Sequence, residues 1–332
     1  MVELLSNTMR KGTIMMSSAV LALTLAACGQ KPADDNKTSG GATPAPTKTE
    51  APKLSGEIKI DGSSTVYPIS QAVAEEFMKK NKDVKVTVGF AGSSAGIKKL
   101  LNKEIDIADA SKLMKQEEID AIKAKGDDVV KMPVAFDGIT VVVNSQNDWA
   151  KDITVAELKK IWEKDSKITK WSEVRAGWPD QPIKLYGPGT ASGTFEYFTE
   201  AVNGKAKESR SDFTPSEDDN VLVKGVTGDK NAMAYFGYAY YLENKDKLKA
   251  LAIKVDDNAP AIAPTAKTIE DGTYKPLSRQ IYMYPLKSAL DRPEVKEFIK
   301  YYMSEDGKKL VESVGYVKLT QNLYDENLKH VK

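Results

Sequence analysis

Short hydroxyl side chains recur in this chain at small-residue turns, an arrangement suited to holding an oxyanion by hydrogen bonds. Gly187-Pro188-Gly189-Thr190-Ala191-Ser192-Gly193-Thr194 follows the apolar Leu185-Tyr186 and precedes Phe195, Tyr197 and Phe198 at helical spacing. That order predicts strand, tight loop and helix. The first N–H groups of such a helix carry partial positive charge, and Ser192 and Thr194 add hydroxyl donors beside them. Ordinary N-capping by Ser or Thr would explain one such turn. It does not explain the recurrence in Gly62-Ser63-Ser64-Thr65, in Gly92-Ser93-Ser94-Ala95-Gly96 and at Ala110-Ser111.

Gly92 to Gly96 also fits the G-x-S-x-G elbow of a serine hydrolase, with Ser94 as nucleophile. That chemistry needs a base, and the single histidine, His330, lies near the C-terminal end. A hydrolase is therefore the remote alternative. One histidine also excludes a multi-histidine metal site, and no cofactor motif is present.

The elements that would position these turns alternate. Glu57-Ile58-Lys59-Ile60-Asp61 reads as a strand, followed by a helix through Ile69, Val73 and Phe77. Val84 to Phe90 is a second strand with a helix around Ile97 and Leu100, and Ile105 to Ser111 a third with a helix through Ile119 and Ile122. Strand and helix in alternation give an α/β sheet, whose ligands gather at the carboxyl ends of the strands. Val134 to Asn144 and Ile281 to Leu286 are long apolar strands, where the chain is expected to cross between two lobes. The tryptophans Trp149, Trp162 and Trp171 are expected to pack a core.

Composition limits the partners. The residues after Lys53 hold 42 Lys/Arg against 43 Asp/Glu, so no basic field marks a nucleic-acid partner. Arg10-Lys11 precedes an apolar run from Ile14 to Ala27, a signal-peptide core too short to span a bilayer. It ends in Leu25-Ala26-Ala27-Cys28-Gly29, which resembles a bacterial lipobox, and Cys28 is the only cysteine. Residues 1–27 are thus expected to be a lipoprotein signal peptide, Cys28 the lipidated residue, and 28–53 a tether without Val, Ile, Leu or aromatic residues.

Taken together, the turns resemble the substrate-binding lipoprotein of the bacterial high-affinity phosphate ABC importer. The resemblance rests on Asp61 to Pro68, Gly92 to Gly96, Ile107 to Ser111, Gly187 to Phe198 and Ser216 to Val226. It implies a two-lobed type II periplasmic-binding-protein fold, with residues 54–142 and 281–332 in lobe 1 and 143–280 in lobe 2. It also implies a non-enzymatic monomer that clamps inorganic phosphate between the lobes and passes it to a membrane-embedded permease, while held at the cell membrane by its lipid. Carried over by position, Ser64, Thr65, Ser93, Ser111, Ser192, Gly193 and Thr194 are the ligand-binding residues. Many members place an arginine where this chain has Pro188, and Arg210 is the expected replacement, with Arg175 and several lysines as the other choices. Better-studied members place an aspartate where Ser111 aligns, which leaves Asp109 or Asp137 to accept a proton from the anion. The runner-up ligand is another tetrahedral oxyanion, sulfate or molybdate.

Overall fold

The alternation predicted for the first third of the chain is present in the computed structural model, which describes residues 53–332. The expected signal peptide, Cys28 and all of the tether but Lys53 lie outside the described residues. Strands β1 (Ser55–Gly62), β2 (Asp83–Val88), β3 (Ile107–Ala110) and β4 (Met132–Asn144) are separated by helices Tyr67–Lys80, Ser93–Leu101 and Gln116–Ala124. Then come β5 (Asp152–Thr154), β6 (Lys184–Pro188), β7 (Thr214–Ser216), β8 (Ala232–Gly237), β9 (Leu248–Ala250), β10 (Ala252–Lys254) and β11 (Ser278–Pro285).

One sheet runs β2-β1-β3-β11-β4-β8-β6-β7, with β9 also on β4, and β5 pairs separately with β10. β1 is parallel to β2 and β3, whereas β11 lies antiparallel between β3 and β4. This antiparallel insertion brings the amino end of β11 to the same sheet edge as the carboxyl end of β3. β4 is buried along nearly its whole length, the state its largely apolar sequence predicts. Its Met132–Gly138 portion pairs with β11, and its Ile139–Val143 portion pairs with β8.

Two lobes follow from that change of partner. Val134 and Ala135 pack with Ile58, Ile107, Met283 and Phe298 in one apolar cluster. Ile139, Val141 and Val143 pack with Trp162, Trp171, Phe198 and Tyr235 in the other. Trp162 meets Phe198, Phe213 and Tyr235 edge to face, with centroids 5.9, 5.6 and 4.9 Å away. Offset and edge-on contacts of this kind add to the area that the rings bury; Trp162 and Trp171 are core residues here, and Trp149 is partly buried against Trp171.

Candidate functional site

The turn after β1 is shaped by Gly62, whose φ of +144° and whose approach to β3 both exclude a side chain. A Cβ there would sit 2.1 Å from the Asp109 carbonyl oxygen. The same carbonyl accepts from Ser63 N at 2.9 Å. Ser63, Ser64 and Thr65 are thereby buried at the carboxyl end of the strand. Ser111 arrives from the end of β3, Ser93 from the start of its helix, and Thr194 from the first turn of the helix Gly193–Phe198 that follows β6.

These hydroxyls touch one another across the two lobes. Ser63 Oγ donates to Ser111 Oγ at 2.9 Å, and Ser111 Oγ lies 3.4 Å from both Ser93 Oγ and Thr194 Oγ1. Thr65 Oγ1 and Thr194 Oγ1 are 3.0 Å apart. Ser111 N donates to Ser93 Oγ at 3.1 Å. Gly193 permits the approach, since a Cβ there would lie 2.6 Å from Ser93 Oγ and 2.8 Å from Ser111 Oγ. Ser64 Oγ donates instead to Asp219 Oδ2 at 3.0 Å.

Ser192 performs the ordinary helix role. Its Oγ accepts from Thr194 N at 3.0 Å and Phe195 N at 3.3 Å, capping helix Gly193–Phe198. Capping and anion contact draw on the same residue type, so the local sequence could not separate them.

Arg210 is not brought to the hydroxyl cluster, which corrects the expectation placed on it. Its guanidinium donates to the Ile161 and Ile168 carbonyls at 3.0 and 2.8 Å and to the Asp212 carboxylate at 2.6 and 2.8 Å. With its donors spent on that loop, it ties the 161–168 segment to the 209–212 segment.

The cation in the cluster is Arg279. Its Nη2 donates to Thr194 Oγ1 at 2.7 Å and Asp137 Oδ2 at 2.9 Å, its Nε to the same Oδ2 at 3.1 Å, and its Nη1 to the Ser111 carbonyl at 2.8 Å. Arg279 and Asp137 stand directly opposite on β11 and β4, and their side chains are 2% and 0% exposed. A buried charge of this kind persists only when paired and hydrogen-bonded. The sequence signal was Ser278-Arg279 opening an apolar strand. Attention to carboxyl strand ends passes over it, because β11 runs antiparallel and presents its amino end.

Three buried carboxyls surround or underlie the cluster. Burial raises Asp137 against the pull of Arg279 and the Tyr238 N–H. Burial raises Asp219 to about 7, opposed by Ser64 and reinforced by the neighbouring charge of Asp137. Asp219, the first residue of helix Asp219–Thr227, was not singled out from the sequence because Asp in a first helical turn is commonplace. Burial raises Asp109 to about 7 as well, weakened by the nearby Ser70 hydroxyl. Its carboxyl oxygens have no hydrogen-bond partner among the described residues. Asp109 therefore meets the cluster through its main chain only, leaving Asp137 and Asp219 as the carboxylates that border it.

Ser94, the hydrolase candidate, has Lys207 Nζ 3.4 Å from its Oγ. His330 is an exposed residue ending the last helix.

Comparison with known proteins gives the family. A family model described as a PBP superfamily domain matches residues 43–306. The phosphate-binding protein PstS of Staphylococcus epidermidis is 36% identical over 322 residues, covering 97% of this chain and 92% of that one. Protein SphX of Synechococcus elongatus is 47% identical over 269 residues, covering 80% and 79%. Among solved structures, an ABC-type phosphate transport receptor from Vibrio cholerae superposes with a TM-score of 0.60 at 26% identity, over 80% of this chain and 100% of that one. The reach of these matches along both chains leads to one conclusion: the chain belongs to the PstS phosphate-binding proteins of the PBP superfamily.

Proposed function

We propose that the protein captures inorganic phosphate between its lobes outside the cytoplasmic membrane and delivers it to an ABC permease, without covalent chemistry. The observation that carries this reading is a cluster of hydroxyls from both lobes beside Arg279, which donates to the Thr194 hydroxyl and the Ser111 carbonyl, with the hydroxyls of Ser63, Thr65, Ser93 and Ser111 around Thr194. Ser64, Ser192 and the Gly193 N–H complete the proposed ligand set. Neutral hydroxyls with one planar, multidentate cation can satisfy the oxygens of a buried tetrahedral anion. The near-neutral charge of the chain fits an anion held by such local donors.

Specificity follows from protons. Phosphate near neutral pH carries at least one P–OH group, while sulfate carries none. The buried Asp137 and Asp219 can each accept from a P–OH when ionised, and an ionised carboxylate there would face sulfate as unrelieved like charge. Competition calorimetry tests the ligand: phosphate is expected to displace any bound sulfate or molybdate, and the reverse order would overturn the assignment.

Within this set, Thr194 is expected to matter more for affinity than Ser192. Thr194→Val removes the hydroxyl held by Arg279 and should weaken phosphate by about 2 kcal/mol, the scale of a hydrogen bond to a charged group. Ser192→Ala removes a cap and should cost about 1 kcal/mol of folding stability beside any loss of affinity. Titration and thermal melting of both variants check the pair of values, and wild-type affinity in Thr194→Val would count against the site.

Anchoring by a lipid on Cys28 belongs to the same reading, supported by the lipobox-like Leu25 to Gly29. No helix among the described residues is long and apolar enough to cross a membrane. Cys28→Ala is expected to move the protein from the detergent-extracted membrane fraction to the soluble one, and fractionation would show it.

A further inference from the structure

We infer that Glu196 is the residue that latches the two lobes together, and that it governs how slowly bound phosphate leaves. The inference rests on the phosphate reading above. Glu196 lies in helix Gly193–Phe198 of the second lobe and is buried at the mouth of the cleft. Two lysines of the first lobe, from the segment that follows β3, reach across to it. Lys115 Nζ is 2.9 Å from Oε1, and Lys112 Nζ is 3.3 Å from Oε2. Lys112 is itself 5% exposed and is shared with Glu118 at 3.3 Å. Lys207, from the same lobe as Glu196, adds a third ammonium 3.3 Å from Oε2.

The backbone around this cluster is unusual on the Glu196 side. A π-helix, Thr199–Asn203, continues directly from the helix that carries Glu196, a rare form that is frequent at functional sites. Lys207 adopts a left-handed φ of +66°, unfavourable for a residue with a side chain. Its N–H donates to Thr199 Oγ1 at 2.7 Å, and its Nζ reaches Ser94 of the first lobe at 3.4 Å. The fold thus spends local strain to turn a cation towards the opposite lobe and towards Glu196.

Electrostatics gives the cluster its direction. When the lobes part, Glu196 loses Lys112 and Lys115 and regains water, so these contacts favour only the closed state. A contact confined to one of two states shifts the balance between them. Burial raises the Glu196 carboxyl, but the Lys115 hydrogen bond and the charges of Lys112 and Lys207 outweigh it and hold the group below the usual carboxylate range. The carboxylate is therefore ionised at neutral pH. Lys112, Lys115 and Glu196 also line a cavity of about 470 Å³ shared with Tyr197, Tyr282 and Arg279, which places the cluster beside the way to the cleft cation.

The test is stopped-flow measurement of phosphate association and release by the purified protein at low and high salt. Glu196→Gln is expected to speed release by about tenfold or more with association changed by less than about twofold, and to remove most of the acceleration of release by salt. Lys115→Gln, at a half-exposed side chain that the core does not need, should speed release by about threefold. Unchanged release in both variants, with wild-type phosphate binding intact, overturns the latch and leaves the phosphate reading standing. Failure of the wild type to bind phosphate overturns both.

Discussion

Arg279→Ala is expected to weaken phosphate binding by at least a thousandfold, about 4 kcal/mol, and to lower folding stability by about 3–5 kcal/mol. The affinity loss follows from position: one guanidinium contacts Thr194, the Ser111 carbonyl and Asp137 together, so its removal takes away both the charge and the scaffold of the donors. The stability loss follows from Asp137, whose fully buried carboxyl would lose its partner. Two further variants separate the effects. Asp137→Asn combined with Arg279→Gln replaces the ion pair by neutral groups of similar size and should recover most of the stability while leaving binding absent. Arg279→Lys should recover part of the affinity, because a single ammonium restores charge without the planar fork. Calorimetric titration and denaturant unfolding read the two effects independently. Wild-type affinity in Arg279→Ala would remove the cation from the proposed site.

Asp109→Asn is expected to stabilise the protein at pH 8 and to do little or the reverse at pH 4. The folded-state value of Asp109 is raised to about 7 from the ordinary 3.8 by burial. A carboxyl raised in this way contributes its stability fully below the unfolded value and loses it as pH climbs through the folded one. Between about pH 4 and 7 the folded chain holds a proton that the unfolded chain releases, so stability falls across that window. A shift of roughly three units corresponds to about 4 kcal/mol. The neutral amide removes this dependence. Melting curves from pH 4 to 8 should therefore spread less for the variant than for the wild type, the remaining spread coming from Asp219, which burial also raises to about 7. Phosphate affinity should change by less than about twofold, as the carboxyl makes no hydrogen bond to the hydroxyl cluster. An identical pH profile in both proteins would show that Asp109 is not the buried acid described.

Much of the fold was legible because its signals are local. The alternation in Glu57 to Asp61 and the helical spacing of Ile69, Val73 and Phe77 each lie within one element, and each element formed. The serines and threonines at the strand ends were legible for the same reason, since a strand followed by a small-residue turn and a helix places that turn at the sheet edge. The apolar run of β4 announced burial on both faces, and its length let one strand serve two cores.

The charges were decided only by the tertiary structure. Arg279 and Asp137 stand 142 positions apart, and they meet because β11 inserts antiparallel beside β4, a register that no local pattern encodes. Arg210 looked equally available in sequence, yet the carbonyls of Ile161 and Ile168 consume its donors. Ser192 and Thr194 share one turn, but only the folded chain turns one hydroxyl back to cap the helix and aims the other at Arg279. Hydroxyl-rich turns are written in residue types and spacing. Which arginine, which carboxylate and which lysines face them depends on long-range pairing, because a charge acts through its distance in space and not along the chain.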